Sequence, residues 1–340
     1  MDQRDVKAAI YAREVASAYY LNNPRVTLID VGWKISHGEY TGELAVRVHV
    51  QKKPEEAAFE SFSFNNPGLV IEKEKIPFQV DIIEATYPLH RWWVPQPANL
   101  RAGVFDPLQG GISVSGEWLF GYGTLGGIVE DRQTRAKMIL SNWHVLAGSD
   151  YAVRGTRIFQ PAYGDWGSGA DTIATLERHV FDQEIDAAVA RLTGQRGWLN
   201  SQQGIGPVTG VKAPFLSMRV IKSGRASGVT YGIVDGFEGE YPLSYQGMQH
   251  RIRFVNRIVP QRVQGEVSRG GDSGSWWLEE STCQAVGLHF AGQDDPETAL
   301  AISMPQVLDA LNVDIVTTRQ AAPAEPVTPE AARSLERVTG

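Results

Sequence analysis

The sequence predicts an all-β protein preceded by a small α/β unit, and three observations carry that expectation. From about residue 112 onward, short apolar runs alternate with Gly and Asp turns, the pattern of many closely spaced strands. Ahead of it, one segment with helical spacing is followed by two strand-like runs. Between these regions Pro88, Pro95 and Pro97 mark a break in regular structure. A chain of 340 residues is long enough for two domains and a sizeable core.

Residues 5–22 place Val6, Ala9, Ile10, Val15, Tyr19 and Tyr20 on one helical face, and Asn22-Asn23-Pro24 ends the helix. Runs at 26–34 and 43–50 read as strands joined through the Gly38/Gly42 region. In the second, Leu44, Val46, Val48 and Val50 share a face opposite Arg47 and His49, which assigns His49 to the solvent side. A short helix over 54–59 and a strand over 78–85 complete a small α/β domain, 1–90. A linker, 91–111, contains Arg91-Trp92-Trp93, read as packing between domains rather than as a binding platform.

The main domain, 112–315, opens with paired strands at 123–129 and 137–140 about the turn Asp131-Arg132-Gln133-Thr134. It ends with a helix at 305–311. Residues 316–340 read as a flexible tail, with an Ala/Pro-rich linker at 320–329 and a helix-like end at 330–337.

The composition excludes several classes of function. A net charge of −7, from 32 basic and 39 acidic residues, disfavours general affinity for nucleic acid or anionic membrane. No apolar run approaches the ~18 residues a membrane helix needs, and the charged Met1-Asp2-Gln3-Arg4-Asp5 start does not read as a secretory signal. The one cysteine, Cys283, rules out an internal disulfide framework and reads as buried packing within a strand. A cytoplasmic location is the expectation. No metal-ligand spacing or phosphate loop is present, so neither metal nor cofactor is expected.

Gly270-Gly271-Asp272-Ser273-Gly274-Ser275 can set a serine hydroxyl and the N–H groups of Gly271 and Ser273 around one carbonyl carbon. A neutral serine is a poor nucleophile and needs a base within reach, with an acid to fix the base's tautomer. Upstream, the apolar run Met138-Ile139-Leu140-Ser141-Asn142-Trp143 leads into His144, and Asp186 heads the apolar run Ala187-Ala188-Val189-Ala190. Asp182 and Glu184 are alternative acids. The order is His144, Asp186, Ser273.

These three motifs resemble the trypsin-like (chymotrypsin-fold) serine peptidases over about 112–315. The runs Val220-Ile221-Lys222-Ser223-Gly224-Arg225-Ala226-Ser227-Gly228 and Val286-Gly287-Leu288-His289-Phe290-Ala291-Gly292 are similar to the intracellular plant and bacterial members with an amino-terminal α/β extension. The resemblance implies an all-β double β-barrel, perpendicular six-stranded barrels with the site between them, and peptide-bond hydrolysis through an acyl-enzyme. It implies Ser273 as nucleophile, His144 as base and then acid, Asp186 as its orienter, and an oxyanion hole at Gly271 and Ser273.

It also implies a substrate pocket at Val267, His289, Phe290, Ala291 and Gly292. Val267 stands where a basic-specific pocket would hold an acid, so a neutral or apolar pocket is expected, with Gln or Glu a further option through His289; Glu266 lies one residue away. The implied partners are a protein or peptide substrate, and an activating partner or self-association through residues 1–90. Many members free an Ile/Val amino terminus to pair with the acid before the serine, and no such start lies near residue 112. Either other groups hold Asp272, or a partner or substrate orders its loop. Two other readings remain: a silent scaffold keeping the fold for its cleft, and an esterase, against which the absence of a Gly-x-Ser-x-Gly elbow counts.

Overall fold

A computed structural model of the protein describes residues 2–53, 71–88, 101–181, 184–245, 248–262, 265–295 and 297–317. The helix expected at 54–59, the Trp92-Trp93 pair, Asp182 and the tail from 318 on lie outside the described residues.

The chain begins with α1 (Gln3–Tyr20), whose amino end is capped by the Asp2 carboxylate on Arg4 N–H. It continues through β1 (Val26–Ser36), β2 (Glu39–Val50) and β3 (Val80–Glu84). Ala12, Ala16 and Tyr20 of α1 pack on Ile29, Val46, Val48 and Val50, so the helix covers the predicted apolar face of β2.

After β4 (Leu108–Gly110), the first barrel is built from β5 (Ser113–Gly116), β6 (Gly123–Thr124), β7 (Gly127–Asp131), β8 (Lys137–Ser141), the short α2 (Trp143–Leu146), β9 (Arg157–Phe159), β10 (Thr172–His179) and β11 (Ala188–Leu192). Its strand order is β7-β8-β11-β10-β9-β5-β6. Only Leu125 and Gly126 separate β6 from β7, so the two ends of that order join and the sheet closes on itself. β4, within the stretch read as linker, pairs parallel with β12 (Trp198–Gln202), which also carries β13 (Gly206–Pro207).

The second barrel holds β14 (Gly210–Val211), β15 (Arg219–Gly224), β16 (Gly228–Tyr245), β17 (Met248–Pro260), β18 (Trp276–Glu279), β19 (Gln284–Asp294) and β20 (Glu297–Ser303). The order β15-β18-β19-β20-β17-β16, closed by a β15–β16 pairing, makes a six-stranded ring, with β14 attached to β19. The helix α3 (Met304–Leu311) then returns the chain so that β21 (Val313–Ile315) pairs with β7 of the first barrel. The fold is an all-β double barrel, as the resemblance implied.

One connection was not foreseen. β16 has 18 residues, and β1 pairs antiparallel with it beyond the ring, through Ile29 with Glu240 and Gly32 with Gly236. The amino-terminal strands therefore continue the sheet of the second barrel, with the order β16-β1-β2-β3.

That continuity buries the face of β2 assigned to solvent. His49 and Arg47 are both 0% exposed. Arg47 grips Asp30 through Nε and Nη2, at 2.8 and 2.6 Å, and reaches Asp235 of β16 at 3.1 Å; Arg257 of β17 also pairs with Asp235. The expectation for His49 fails because alternation tells which residues share a face but not what covers it.

Candidate active site

The three motifs sit at the ends of strands in the two barrels. β8 ends at Ser141, Asn142 turns the chain, and α2 begins at once, so His144 is carried on a four-residue helix directly above the first barrel. Asp186 lies just before β11, whose Ala188 pairs with Ser141. Neighbouring strands thereby bring acid and imidazole together.

Asp186 is 0% exposed and meets His144 twice: Oδ2 lies 2.5 Å from Nδ1, and Oδ1 accepts the His144 backbone N–H at 3.1 Å. Asn142 Nδ2 donates to the Asp186 carbonyl at 2.9 Å, fixing the turn from behind. A carboxylate on Nδ1 commits that nitrogen to carrying its proton and leaves Nε2 as the acceptor of the neutral ring. Of the alternative acids, Glu184 pairs instead with Arg253 at 3.4 Å.

Ser273 lies in the turn before β18 and is 3% exposed. Thr124 N–H donates to its carbonyl at 2.8 Å, and a Cβ at Gly123 would meet both that carbonyl and Val145, the residue after His144. The serine turn and α2 thus meet across one glycine. Gly271 and Gly274 have φ of 103° and 94°, in the left-handed region, and a side chain at 274 would strike Ser141 Oγ. Within this turn Asp272 N–H, Gly274 N–H and Ser275 N–H all find carbonyl partners. The N–H groups of Gly271 and Ser273 donate to nothing among the described residues, and the Ser273 hydroxyl reaches only the Phe290 carbonyl, at 3.5 Å.

The acid before the serine is held by this chain's own side chains. Lys222 Nζ of β15 lies 2.8 Å from Asp272 Oδ2, both groups being 0% exposed. Ser227 Oγ approaches the same oxygen at 2.5 Å, while Ala226 and Ser227 N–H donate to Oδ1 at 2.9 and 3.0 Å. Burial alone would raise the Asp272 carboxyl; the Lys222 ammonium and these donors hold it well below the ordinary carboxylate range. Of the two alternatives left by the sequence, the first obtains, and Lys222 is the partner.

No family model and no curated protein matches the chain. Among solved structures, Thermobifida fusca protease A is similar at 19% identity, over 62% of this chain and 98% of its own, with a TM-score of 0.45. A Nocardiopsis protease gives 19% identity, the same 62% and 98%, and 0.46. A glutamic acid specific serine protease, described as using a histidine triad in substrate binding, gives 16%, 62% and 100%, and 0.47. These structural neighbours are proteases, the last described as a serine protease; the fold itself follows from the strand order above.

The residues assigned to a substrate pocket are all buried. Val267 packs in the second barrel with Met218, Val220 and Trp277, and its carbonyl accepts Thr230 Oγ1 at 2.8 Å. His289 is 0% exposed, its ring edge-on to Trp277 with centroids 6.5 Å apart, and its backbone pairs with Gly274 and Ser275. Phe290, Ala291 and Gly292 follow along β19, with the Phe290 carbonyl turned to Ser273. Glu266 is drawn to the surface by Arg269.

Two residues were missed. Lys222 stood in a quoted run without a role, and no local pattern links it to an acid 50 positions away. Glu297 of β20 accepts the N–H groups of Val267 and Ser268 on Oε1, at 2.8 and 2.9 Å, bringing a carboxylate to the segment where none was expected. Cys283 is half-buried in the turn before β19 rather than within a strand.

Proposed function

We propose that the protein is a serine endopeptidase acting on selected proteins inside the cell. The observation that carries this reading is the buried Asp186–His144 couple beside a turn that offers a serine hydroxyl and two N–H groups without acceptors among the described residues. Ser273 Oγ attacks the scissile carbonyl as its proton passes to His144 Nε2, and the charge on the carbonyl oxygen is met by Gly271 and Ser273 N–H. The imidazolium, stabilised by Asp186, gives its proton to the leaving amine, and an acyl-enzyme remains. Water then repeats the sequence with His144 as base and frees the acid. Lys222 supports the reading further: it holds the Asp272 turn in shape without a newly cut amino terminus or an activating partner.

The side chain accepted before the scissile bond is neutral or apolar, with Gln or Glu a further option. The neutral Val267 and the outward Glu266 support this, the Glu297 carboxylate at the same segment being turned to the Val267 and Ser268 N–H groups. A single cysteine supports a cytoplasmic setting.

Labelling with a fluorophosphonate tests the nucleophile: the wild type is expected to be modified at Ser273 and the Ser273→Ala protein not at all. Mapping new amino termini in a proteome treated with each protein then reads out the targets and the preferred residue. An unlabelled Ser273 would favour a binding scaffold, and cuts mainly after Lys or Arg would remove the proposed pocket chemistry.

A further inference from the structure

β19 pairs with β20 along 287–294, but on its other side β18 reaches only as far as Leu288. Beyond His289, whose backbone pairs with Gly274 and Ser275, this edge of β19 meets no further strand among the described residues and borders the site, and a register shift between His289 and Ala291 turns the Phe290 carbonyl toward Ser273. An open strand edge is a template for another extended chain. The residue carrying an attacked carbonyl at Ser273 can donate its own N–H to the Phe290 carbonyl. The residues before it then run along 290–292. That half of the substrate stays bound in the acyl-enzyme, so it is the half that needs holding.

The next group on this edge is already engaged by the protein itself. Gly292 N–H donates to the Pro88 carbonyl at 3.4 Å, and Thr86 N–H donates to Gln293 Oε1 at 3.0 Å. The segment is anchored from both sides: Tyr241 Oη donates to the Tyr87 carbonyl at 2.5 Å, and Thr27 Oγ1 to the Ala85 carbonyl at 2.7 Å. Tyr241 also packs edge-on against Phe290, with ring centroids 5.5 Å apart. Next to the segment lies a cleft of about 710 Å³, walled by Pro88, Tyr241, Ser244 and His250, into which it can withdraw.

We infer that residues 86–88 stand in the place of an outer substrate residue and set how much of a substrate the enzyme can pair with. This rests on the active-site reading above. With Gly292 N–H taken, backbone pairing on the acyl side ends at Phe290, and side chains further out contribute little until the segment is displaced. The amino-terminal layer thereby acts as a specificity element.

The test is a series of chromogenic amides and one short ester, lengthened on the acyl side from one residue to four, assayed with the full chain. For the wild type, kcat/KM is expected to rise from one residue to two and then level off. Tyr241→Phe removes one anchor without changing ring packing, and Gln293→Ala removes another. In either, the third and fourth residues are expected to raise kcat/KM by roughly tenfold, the worth of a regained hydrogen bond, with ester hydrolysis unchanged. A wild type that already gains tenfold per added residue, or variants whose length profile matches it, would overturn the inference and leave the active site standing. A short ester that is not hydrolysed, or is hydrolysed equally by Ser273→Ala, would overturn the active-site reading and the substrate edge with it.

Discussion

The described residues contain two buried couples of histidine and aspartate, and they are built differently. His144 meets Asp186 through Nδ1 at 2.5 Å; His49 meets Asp30 through Nε2 at 3.2 Å. Around His49 both ring nitrogens and both Asp30 oxygens are engaged: Tyr87 Oη lies 2.8 Å from Nδ1, and Arg47 clamps both oxygens of Asp30. Burial lowers the His49 pKa to about 4, so the ring stays neutral, its Nε2–H facing the carboxylate and Nδ1 accepting from Tyr87. Around His144, among the described residues, the acid side chain is met by an N–H and by the ring alone, and the second ring nitrogen has no hydrogen-bond partner. A histidine–aspartate contact is thus no signature of function in itself. What the other nitrogen and the other carboxylate oxygen are bound to decides the matter.

The largest separation between the couples is expected from removing each acid's charge. Asp186→Asn should lower kcat by about 10⁴, since the amide favours the wrong tautomer, while the denaturation midpoint moves little. Asp30→Asn should do the reverse, leaving turnover per labelled active site near wild type but costing about 3–5 kcal/mol of stability because the buried Arg47 and Arg257 are then left to share the single charge of Asp235. Active-site titration with a fluorophosphonate, paired with urea unfolding, measures both. Equal losses of kcat in the two variants would erase the distinction.

Next in size is Lys222→Met, which leaves the buried Asp272 its hydrogen-bond donors but takes away its charge partner. It is expected to cost about 3–5 kcal/mol in urea unfolding and also to depress kcat, because the same turn carries the Gly271 and Ser273 N–H groups. Loss of stability alone, with kcat intact in the folded protein, would separate the lysine from the chemistry.

Acid should then distinguish the couples further. With a folded pKa near 4 against about 6.5 when unfolded, His49 binds its proton preferentially in the unfolded chain. Its contribution is whole above pH ~6.5 and falls as the pH drops toward 4, by on the order of 3 kcal/mol in all. Unfolding free energies across that range check this, and His49→Gln should flatten the slope. The smallest effect is Tyr87→Phe, which removes the hydroxyl from His49 Nδ1 and should cost about 1–3 kcal/mol, seen in the unfolding midpoint with hydrolysis of a short ester unchanged.

What the sequence disclosed and what it withheld divide along the same line. Local patterns found α1 to within two residues at each end, the β7–β8 hairpin about Asp131, and α3, because turn residues and periodicity are properties of neighbours. The order of His144, Asp186 and Ser273 was readable because each heads or ends an apolar run. Hidden were the joins made at long range: β1 to β16, Lys222 to Asp272, Glu297 to the 267–268 backbone, and the cover over His49. A lysine within a strand and a histidine on the polar side of another look alike in sequence, whether they end in water or in a closed ion network. Only the partner tells them apart, and the partner is 19 residues away for the histidine and 50 for the lysine.

The seam between β16 and β1 has a practical consequence for anyone trimming this molecule. A fragment starting at the first barrel would present half of an 18-residue strand as a raw edge, and would open the Asp235–Arg257 pair to water on a surface shaped for another layer. Such an edge invites self-association. The minimal working unit of this protein is therefore larger than its two barrels.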